Sequence, residues 1–203
     1  MNSPHALRLA KKRNEILEAA TLTFSEEGYD AASMDRIAER AGASKRTVYN
    51  HFDSKEVLFE AVAERLVLRL QQMKAVSWDP ERSLEAQLTV FAEVKAFVAA
   101  DPQWSQLMRV MLGVFIHQPK LAERVMAQVA AEEQHLVRWL RAAHAHGALH
   151  VLDAERAAEV FWALASGLLF WPQVLGGPLN PQAKQAALQD VAQTFLARYA
   201  KSA

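Results

Sequence analysis

The chain has 203 residues, of which 51% are hydrophobic, so it can bury a sizeable core and is not expected to be disordered. Its 23 Lys and Arg residues balance 23 Asp and Glu residues, and because cysteine is absent, disulfides and thiolate chemistry are excluded. The N-terminus lacks the apolar core of a signal peptide, and no run of about 18 uncharged apolar residues would span a membrane. Residues 160–175 come closest and are better explained as a buried helix. We therefore expect a soluble cytoplasmic protein.

Apolar residues recur with a period close to 3.6 along the whole chain, which predicts helices and no strands. Glycines and prolines divide this pattern into predicted helices at about residues 11–27, 33–41, 44–52, 54–75, 83–100, 102–116, 119–146, 153–175 and 181–200. Asp53 and Glu56 have the spacing of a capping box at the start of the fourth. The sequence predicts an all-α protein, with a three-helix domain over residues 1–54 and a six-helix domain over residues 55–203.

The third predicted helix, residues 44–52, has a small apolar side and a dense polar side. At about 100° per residue, Val48 and Phe52 fall together, while Arg46 and Asn50 fall nearly opposite them. We therefore expect Val48 and Phe52 to anchor the helix and its polar side chains to be exposed.

A glycine turn at residues 41–43 joins the second and third predicted helices into a helix-turn-helix, whose second helix enters the major groove of DNA. Arg pairs bidentately with guanine and Asn with adenine, so Arg46 and Asn50 are candidate base readers. Four further side chains have the reach and the donors for phosphates: Lys45, Tyr49, His51 and Lys55. A merely solvated polar face is the alternative. The acid-free gap between Glu39 and Asp53 favours nucleic acid even at zero net charge.

A continuous set of motifs covers about residues 11–60. They are Ile16-Leu17-Glu18-Ala19-Ala20 through Phe24, Gly28-Tyr29, Ser33-Met34-Asp35-Arg36-Ile37-Ala38, Ala41-Gly42-Ala43-Ser44, Thr47-Val48-Tyr49-Asn50-His51-Phe52 and Lys55-Glu56. Together they resemble the TetR family of transcriptional regulators. The resemblance implies a homodimer on a palindromic double-stranded DNA operator and a ligand-binding C-terminal domain. It also implies DNA contacts by Ser33, Lys45, Arg46, Thr47, Tyr49, Asn50, His51 and Lys55.

One apolar stripe falls on the sixth predicted helix, where Trp104, Met108, Met111 and Phe115 recur at intervals of 4, 3 and 4 residues. Such a stripe is ordinary core in most helices. The resemblance implies that the central helices enclose an effector, and Met and aromatic side chains give an adaptable apolar pocket wall. Both interpretations of these four residues, core and ligand pocket, stay open.

The predicted helix over residues 153–175 is apolar nearly all round. A domain of this size cannot bury every face of such a helix within one subunit, and small residues allow a second helix to approach closely. We expect a dimer interface that includes Phe161, Leu164, Gly167 and Leu168, with burial in a monomer core as the alternative. In the resembling family, the last two helices of each subunit form a four-helix bundle.

Metal sites and catalysis find little support in the sequence. Glu132 and His135 have a spacing used in some carboxylate-bridged metal sites, but no second such pair occurs. Cysteine, a glycine-rich phosphate loop and a nucleophile-elbow serine are all missing. We expect no metal, no cofactor and no enzymatic activity.

The sequence therefore predicts a ligand-responsive transcriptional regulator, most simply a repressor released by a small, largely apolar ligand. The alternative is an all-helical small-molecule binding protein or enzyme that does not bind DNA.

Overall fold

The computed structural model describes residues 4–71, 76–132 and 134–201. Its helices are α1 (Pro4–Ala31), α2 (Met34–Arg40), α3 (Lys45–His51), α4 (Lys55–Gln71), α5 (Leu84–Ala100), α6 (Pro102–His117), α7 (Pro119–Glu132), α8 (Gln134–Ala145), α9 (Ala154–Ala165), α10 (Trp171–Gly176) and α11 (Pro181–Tyr199). A π-helical segment, Ser166–Phe170, joins α9 to α10. In these residues, β-structure is limited to an isolated bridge between Leu149 and Ala200. The all-α prediction is confirmed.

Helix α1 begins at Pro4 rather than near residue 11. Pro is suited to the first turn of a helix, and the Leu, Ala, Arg and Lys residues that follow are good helix formers. Residues 6–11 are exposed, so their sequence carries no apolar period that would reveal the helix. The predicted end is correct, because Gly28 breaks the helical path with φ 81° and ψ 169°.

The start of α4 corrects a sequence prediction. The helix is capped by Ser54, whose Oγ accepts a hydrogen bond from the Val57 N–H at 3.3 Å. Asp53 was the predicted cap, and it lies one residue too early. Asp and Ser both cap helices well, so the residue types do not show which of the two takes the cap position. The backbone conformation determines it. The predicted end of this helix, over residues 72–75, falls outside the described residues, as does residue 133 within the predicted helix 119–146.

The chain forms two compact units. The first unit comprises Met1–Leu68 with Gln106–Met126, and the second comprises Arg69–Ser105 with Ala127–Ala203. The first is centred on an aromatic cluster in which the Phe59 ring lies 5.1 Å from that of Phe24 and 4.9 Å from that of Tyr29. The domain boundary predicted after residue 54 falls inside this unit and stays a prediction.

The second unit is built around α5, α8, α9 and α11. Trp139 is almost fully buried, and its Nε1 donates to Oε1 of Gln87 at 3.1 Å. Gln87 is fully buried itself, and its Nε2 donates to the carbonyls of Asp79 and Arg82. This one amide therefore ties the segment before α5 to the core without leaving its own polar atoms unpaired.

Phe161 lies in this core, which makes its assignment to a dimer interface wrong. Its side chain has no exposed surface, and its ring centroid lies 5.4 Å from that of Phe195 and 6.5 Å from that of Phe91. The helix is apolar on several sides, so the sequence could not show which side faces the subunit's own core.

The segment Ala154–Gly176 is long and apolar enough to cross a membrane, judged by length and composition alone. Only 33% of its most apolar window is buried within the chain. The uncovered part includes an apolar stripe, namely Leu164, Leu168, Trp171 and Leu175. We call these four residues the uncovered stripe.

Candidate nucleic-acid interface

Helices α2 and α3 are connected by a tight turn that fixes their relative direction. Gly42 has φ 55°, a left-handed conformation that favours glycine, and the Ala43 N–H donates to the Ala38 carbonyl at 3.0 Å. Each helix has a serine cap: Ser33 Oγ accepts from the Arg36 N–H at 3.2 Å, and Ser44 Oγ accepts from the Thr47 N–H at 3.1 Å. The structure therefore has a helix-turn-helix with both helix starts closed by side chains.

Two apolar side chains hold α3 in place, as predicted. Val48 is fully buried and Phe52 is 1% exposed. The guanidinium carbon of Arg13, on α1, lies 4.6 Å from the centroid of the Phe52 ring. This cation–π contact joins Phe52, the residue that ends α3, to α1.

The opposite side of α3 is exposed. Arg46 and Asn50 are both exposed, and Tyr49 retains 41% of its surface. Thr47 is half-buried, and its Oγ1 lies 2.8 Å from Ser44 Oγ. His51 is half-buried, and its ring centroid lies 6.4 Å from that of Phe52. The geometry thus leaves Arg46 and Asn50 extending from the helix with their donors and acceptors available to a base edge.

Lys45 is paired with Asp35, a residue that the sequence analysis did not single out. Its Nζ lies 2.8 Å from Asp35 Oδ1 and 3.0 Å from Oδ2, and both side chains are more than 60% exposed. The hydrogen bond to Asp35 raises the pKa of Lys45, and the carboxylate charge adds to the effect. A negative charge therefore lies within the predicted DNA-binding surface.

Lys55 is turned inward. Its Nζ donates to the carbonyls of Tyr29, Asp30 and Ala32 at 2.9, 3.3 and 3.1 Å, and it lies 4.5 Å from the centroid of the Tyr29 ring. The ammonium group thus satisfies carbonyls at the end of α1, which the sequence did not predict. Contact between Lys55 and a phosphate stays a prediction.

Four of the predicted DNA-contacting residues gather around one shallow pocket of about 300 Å³: Ser33, Lys45, Tyr49 and Lys55. Asp35 shares its rim. The ammonium group of Lys45 and the hydroxyls of Tyr49 and Ser33 are donors suited to a phosphate, whereas the three protons of the Lys55 ammonium group are already taken by carbonyls. Arg46 and Asn50 do not line this pocket, which agrees with a division between backbone contacts and base contacts.

Comparisons with known proteins match both parts of the chain. Residues 16–62 match the family profile "Bacterial regulatory proteins, tetR family", and residues 86–201 match "AefR-like transcriptional repressor, C-terminal domain". The chain belongs to the TetR family. It is therefore a transcription regulator and not an enzyme, as predicted.

Relatives agree with this assignment. The crystal structure of a TetR family transcriptional regulator from Pseudomonas syringae pv. tomato DC3000 is 36% identical, covers 95% of this chain and 98% of its own, and has a TM-score of 0.76. Another solved structure, the flavonoid-responsive regulator FrrA, is 28% identical, with 96% and 100% coverage and a TM-score of 0.77. The transcriptional activator FasR of Mycolicibacterium smegmatis is 35% identical over 126 residues, which are 60% of this chain and 54% of FasR. The matched region thus spans about half the length of that curated relative.

The predicted pocket residues of this TetR-family chain have unequal surroundings. Trp104 is 5% exposed, Met111 is 1% exposed, and Met108 and Phe115 are half-buried. The Trp104 ring lies edge-on to Phe170 at 5.2 Å, and its buried Nε1 has no hydrogen-bond partner among the described residues. The acceptor of a ligand would satisfy this donor.

The predicted interface residues other than Phe161 keep some surface. Gly167 is exposed, Leu168 is 39% exposed and Leu164 is half-buried. Leu164 and Leu168 belong to the uncovered stripe and Gly167 directly precedes Leu168, so all three remain predictions for a partner surface.

A metal site gains no support among the described residues, where no three or more His, Cys, Asp or Glu side chains form a group that could hold a metal ion. The side chain of Glu132 lies outside them. His135 Nδ1 lies 2.8 Å from an Arg138 guanidinium nitrogen, a contact that does not suit a metal ligand.

Ion pairs that position α2 were missed by the sequence analysis. Arg36 Nε donates to Glu27 at 3.1 Å and its Nη1 to Glu39 at 2.9 Å, while Arg40 Nη2 donates to Glu26 at 2.5 Å. The hydrogen bonds that Arg36 donates to Glu27 and then to Glu39 raise the pKa of Arg36. Only the pair between Arg36 and Glu39 has a spacing that the sequence could reveal, because the other two cross from α2 to α1.

Proposed function

We propose that this chain is a cytoplasmic repressor that binds a palindromic operator as a homodimer and is released by a small, largely apolar ligand. The observation that carries the proposal is α3 itself. Its two buried anchors, Val48 and Phe52, leave Arg46 and Asn50 exposed. They extend from the second helix of a helix-turn-helix, which is the helix that enters a major groove.

Repression is favoured by the description of the matched C-terminal profile, which names a transcriptional repressor. FasR is named an activator, but its match covers only 60% of this chain. A repressor acts most simply by occupying the operator, which requires nothing beyond the DNA-binding surface and a way to release it.

Two observations support the homodimer. The uncovered stripe exposes leucine and tryptophan side chains, including 69% of Leu175. The adjoining α11 presents uncharged Gln185, Gln189 and Gln193 to solvent, so few charges would need to lose their hydration on association. A second copy of the same two helices would cover this surface with symmetric contacts.

Ligand release is supported by Trp104 and by the name of a relative. The unpaired indole N–H of Trp104 could donate to an acceptor on an otherwise apolar ligand. FrrA is named a flavonoid-responsive regulator, and flavonoids are flat aromatic molecules that carry such acceptors. In a dimer the recognition helices must lie about 34–36 Å apart, and a ligand that prefers another spacing shifts the population away from DNA binding.

The deciding experiment measures the binding of fluorescent duplexes from the region upstream of the chain's own gene, at about 50 and 200 mM salt. We expect specific binding that weakens steeply as salt rises, with Asn50→Ala losing preference for the operator over a scrambled duplex. Equal affinity for operator and scrambled DNA, or no binding at low salt, would contradict the proposal.

A further inference from the structure

The first turns of α1 lie outside the packed part of this helix, because residues 6–11 are all exposed. Further along, α1 is tied to its neighbours. The guanidinium of Arg13 lies against the Phe52 ring, and Arg65 on α4 donates to the Asn14 carbonyl at 3.5 Å. The sequence analysis assigned no DNA contact to the exposed segment, so its role is open.

The exposed segment is basic along one side. Arg8, Lys11 and Lys12 follow one another at intervals of three and one residues, so Lys11 and Lys12 lie three and four residues after Arg8. Residues with these spacings are neighbours on one face of a helix. We call these three residues the basic row.

One acidic residue balances part of the basic row. Glu15 is the first acidic residue of the chain, and its carboxylate forms an ion pair with Lys12. The hydrogen bond from Lys12 is the largest cause that lowers the pKa of Glu15, and the charge of Lys11 contributes a smaller effect. Within the described part of the chain, Arg8 and Lys11 form no ion pair. Their charged groups are therefore available to an anionic partner.

The basic row leads directly to the end of the helix that we expect in the major groove. Arg13 follows Lys12 in the chain, and its guanidinium carbon lies 4.6 Å from the centroid of the Phe52 ring, at the end of α3. With 7 residues, α3 is about 10 Å long. The major groove is about 12 Å wide, so the end of a helix that fills this width lies close to the phosphates that border the groove.

We propose that the basic row is a second DNA-contacting surface, at which Arg8 and Lys11 bind backbone phosphates beside each half-site. Its partner is the operator, so the role of the row depends on the function proposed above. Arg8 lies about 8 Å further along the helix axis than Arg13, which extends the contact past the end of α3. Phosphate contacts carry no sequence information, so the row strengthens binding to every duplex, and base reading stays with α3.

The test compares the full chain with a double variant, Arg8→Gln with Lys11→Gln, on operator and scrambled duplexes. We expect the affinity of the double variant to fall at least about fivefold for both duplexes at about 50 mM salt, because a dimer loses both rows. The slope of log affinity against log salt should become shallower by about one for each phosphate contact that is lost. Phosphate-ethylation interference should reveal phosphates whose ethylation weakens binding of the wild type but not of the double variant.

Two controls separate the charge of the segment from its helical structure. Arg8→Lys with Lys11→Arg keeps both charges and should keep the salt slope and the interference pattern of the wild type. Leu7→Gln changes a side chain that is 57% exposed in the same segment without changing its charge, so it should bind DNA as the wild type does. Gln has nearly the helix propensity of Arg and Lys, so the double variant should keep α1, which circular dichroism measures.

An unchanged salt slope and interference pattern in the double variant would overturn the proposal. So would an equal loss of affinity in Leu7→Gln, because the segment would then act through its structure and not through its charge. A loss restricted to the operator would assign base reading to the row and would also overturn it. If the wild type bound no duplex at low salt, the proposed function would fail as well, whereas a wild type that binds the operator independently of Arg8 and Lys11 would contradict the basic row alone.

Discussion

Arg46 and Asn50 are exposed side chains that can be removed without disturbing the anchors of α3. Arg46→Ala should cost about 1–3 kcal/mol of binding free energy on the operator and relax the base preference mainly at one base pair in each half-site. Asn50→Ala should act at a neighbouring position. Non-specific affinity should fall less for Asn50→Ala, because asparagine carries no charge that releases counterions. Binding-site selection with each variant measures both effects.

Thermal melting is the control for these two variants, since neither should change stability by more than about 0.5 kcal/mol, the usual range for exposed positions. If the loss of affinity were spread evenly over all sequences, both residues would only position the helix. An unchanged selection profile would instead assign base reading to Thr47 and Tyr49 or to Arg8–Arg13.

Removing the charge of Asp35 should strengthen DNA binding, whereas removing the side chain of Arg46 or Asn50 should weaken it. Its carboxylate holds the Lys45 ammonium at 2.8 Å within the surface that we expect to face phosphates. Asp35→Asn should therefore raise the affinity for every duplex, by about two- to fivefold, the range of an exposed ion pair. The ratio of specific to non-specific affinity should stay the same or fall. Asp190→Asn, which changes the same charge on α11, is the matched control, and fluorescence anisotropy measures all three proteins. A loss of affinity in Asp35→Asn would show that Asp35 positions Lys45 instead of restraining it.

Lys55 connects stability with DNA binding. Lys55→Ala leaves three carbonyls at the end of α1 without their shared donor, so we expect unfolding to become easier by about 1–3 kcal/mol, measured by urea denaturation. If Lys55 also contacts a phosphate in the complex, the slope of log affinity against log salt falls by about one. A lower stability with an unchanged salt slope would restrict Lys55 to its structural role.

At the scale of helices, substitutions at two glycines, Gly42 and Gly113, distinguish the effect of backbone strain on stability from the effect of packing. Neither Gly42 nor Gly113 has an atom within 4 Å of a built methyl group, but Gly42 has φ 55° whereas Gly113 is helical. Gly42→Ala should therefore destabilise the protein by about 1–2 kcal/mol. Gly113→Ala should stabilise it by about 0.4–1 kcal/mol through helix propensity and a less flexible unfolded chain. Thermal unfolding of the two variants tests the signs, and a destabilising Gly113→Ala would mean that other atoms lie within 4 Å of the added methyl group.

Helices with a clear apolar side were predictable from the sequence, and helices without one were not. The anchors of α3 follow from the spacing of Val48 and Phe52, which is a local property. The first turns of α1 were missed because exposed residues carry no period. The choice between Asp53 and Ser54 as a cap depended on the direction of the chain, which no residue type encodes.

At the scale of the whole molecule, the sequence did not show which side of the helix Ala154–Gly176 faces the core of its own subunit. It is apolar on several sides, so Phe161 and Leu164 looked equally suited to a partner surface. Tertiary packing separates them, because Phe161 meets Phe195 and Phe91, whereas Leu164 keeps part of its surface. The contacts of Lys55 and Asp35 could not be predicted from the sequence for the same reason, because each depends on how separate helices pack.

The uncovered stripe leads to a prediction about assembly. Leu168 is 39% exposed at the middle of the stripe, so Leu168→Glu should convert the proposed dimer into a monomer by placing an unpaired charge in an apolar interface. Leu152→Glu is the matched control, since Leu152 is 85% exposed but lies outside the stripe, and it should remain dimeric. Phe161→Asp should instead unfold the second unit. Sedimentation velocity and circular dichroism distinguish these outcomes.

The same variant also tests whether the dimer is needed on DNA. A monomer carries one recognition helix, so it cannot span two half-sites, and its operator affinity should fall toward that of a single half-site. Wild type should bind a full palindrome far more tightly than a half-site, whereas Leu168→Glu should bind the two equally. If Leu168→Glu were still a dimer, the partner surface would lie elsewhere on the second unit. If it were a monomer with undiminished operator affinity, the palindromic operator would be wrong, because one subunit would account for all of the binding free energy.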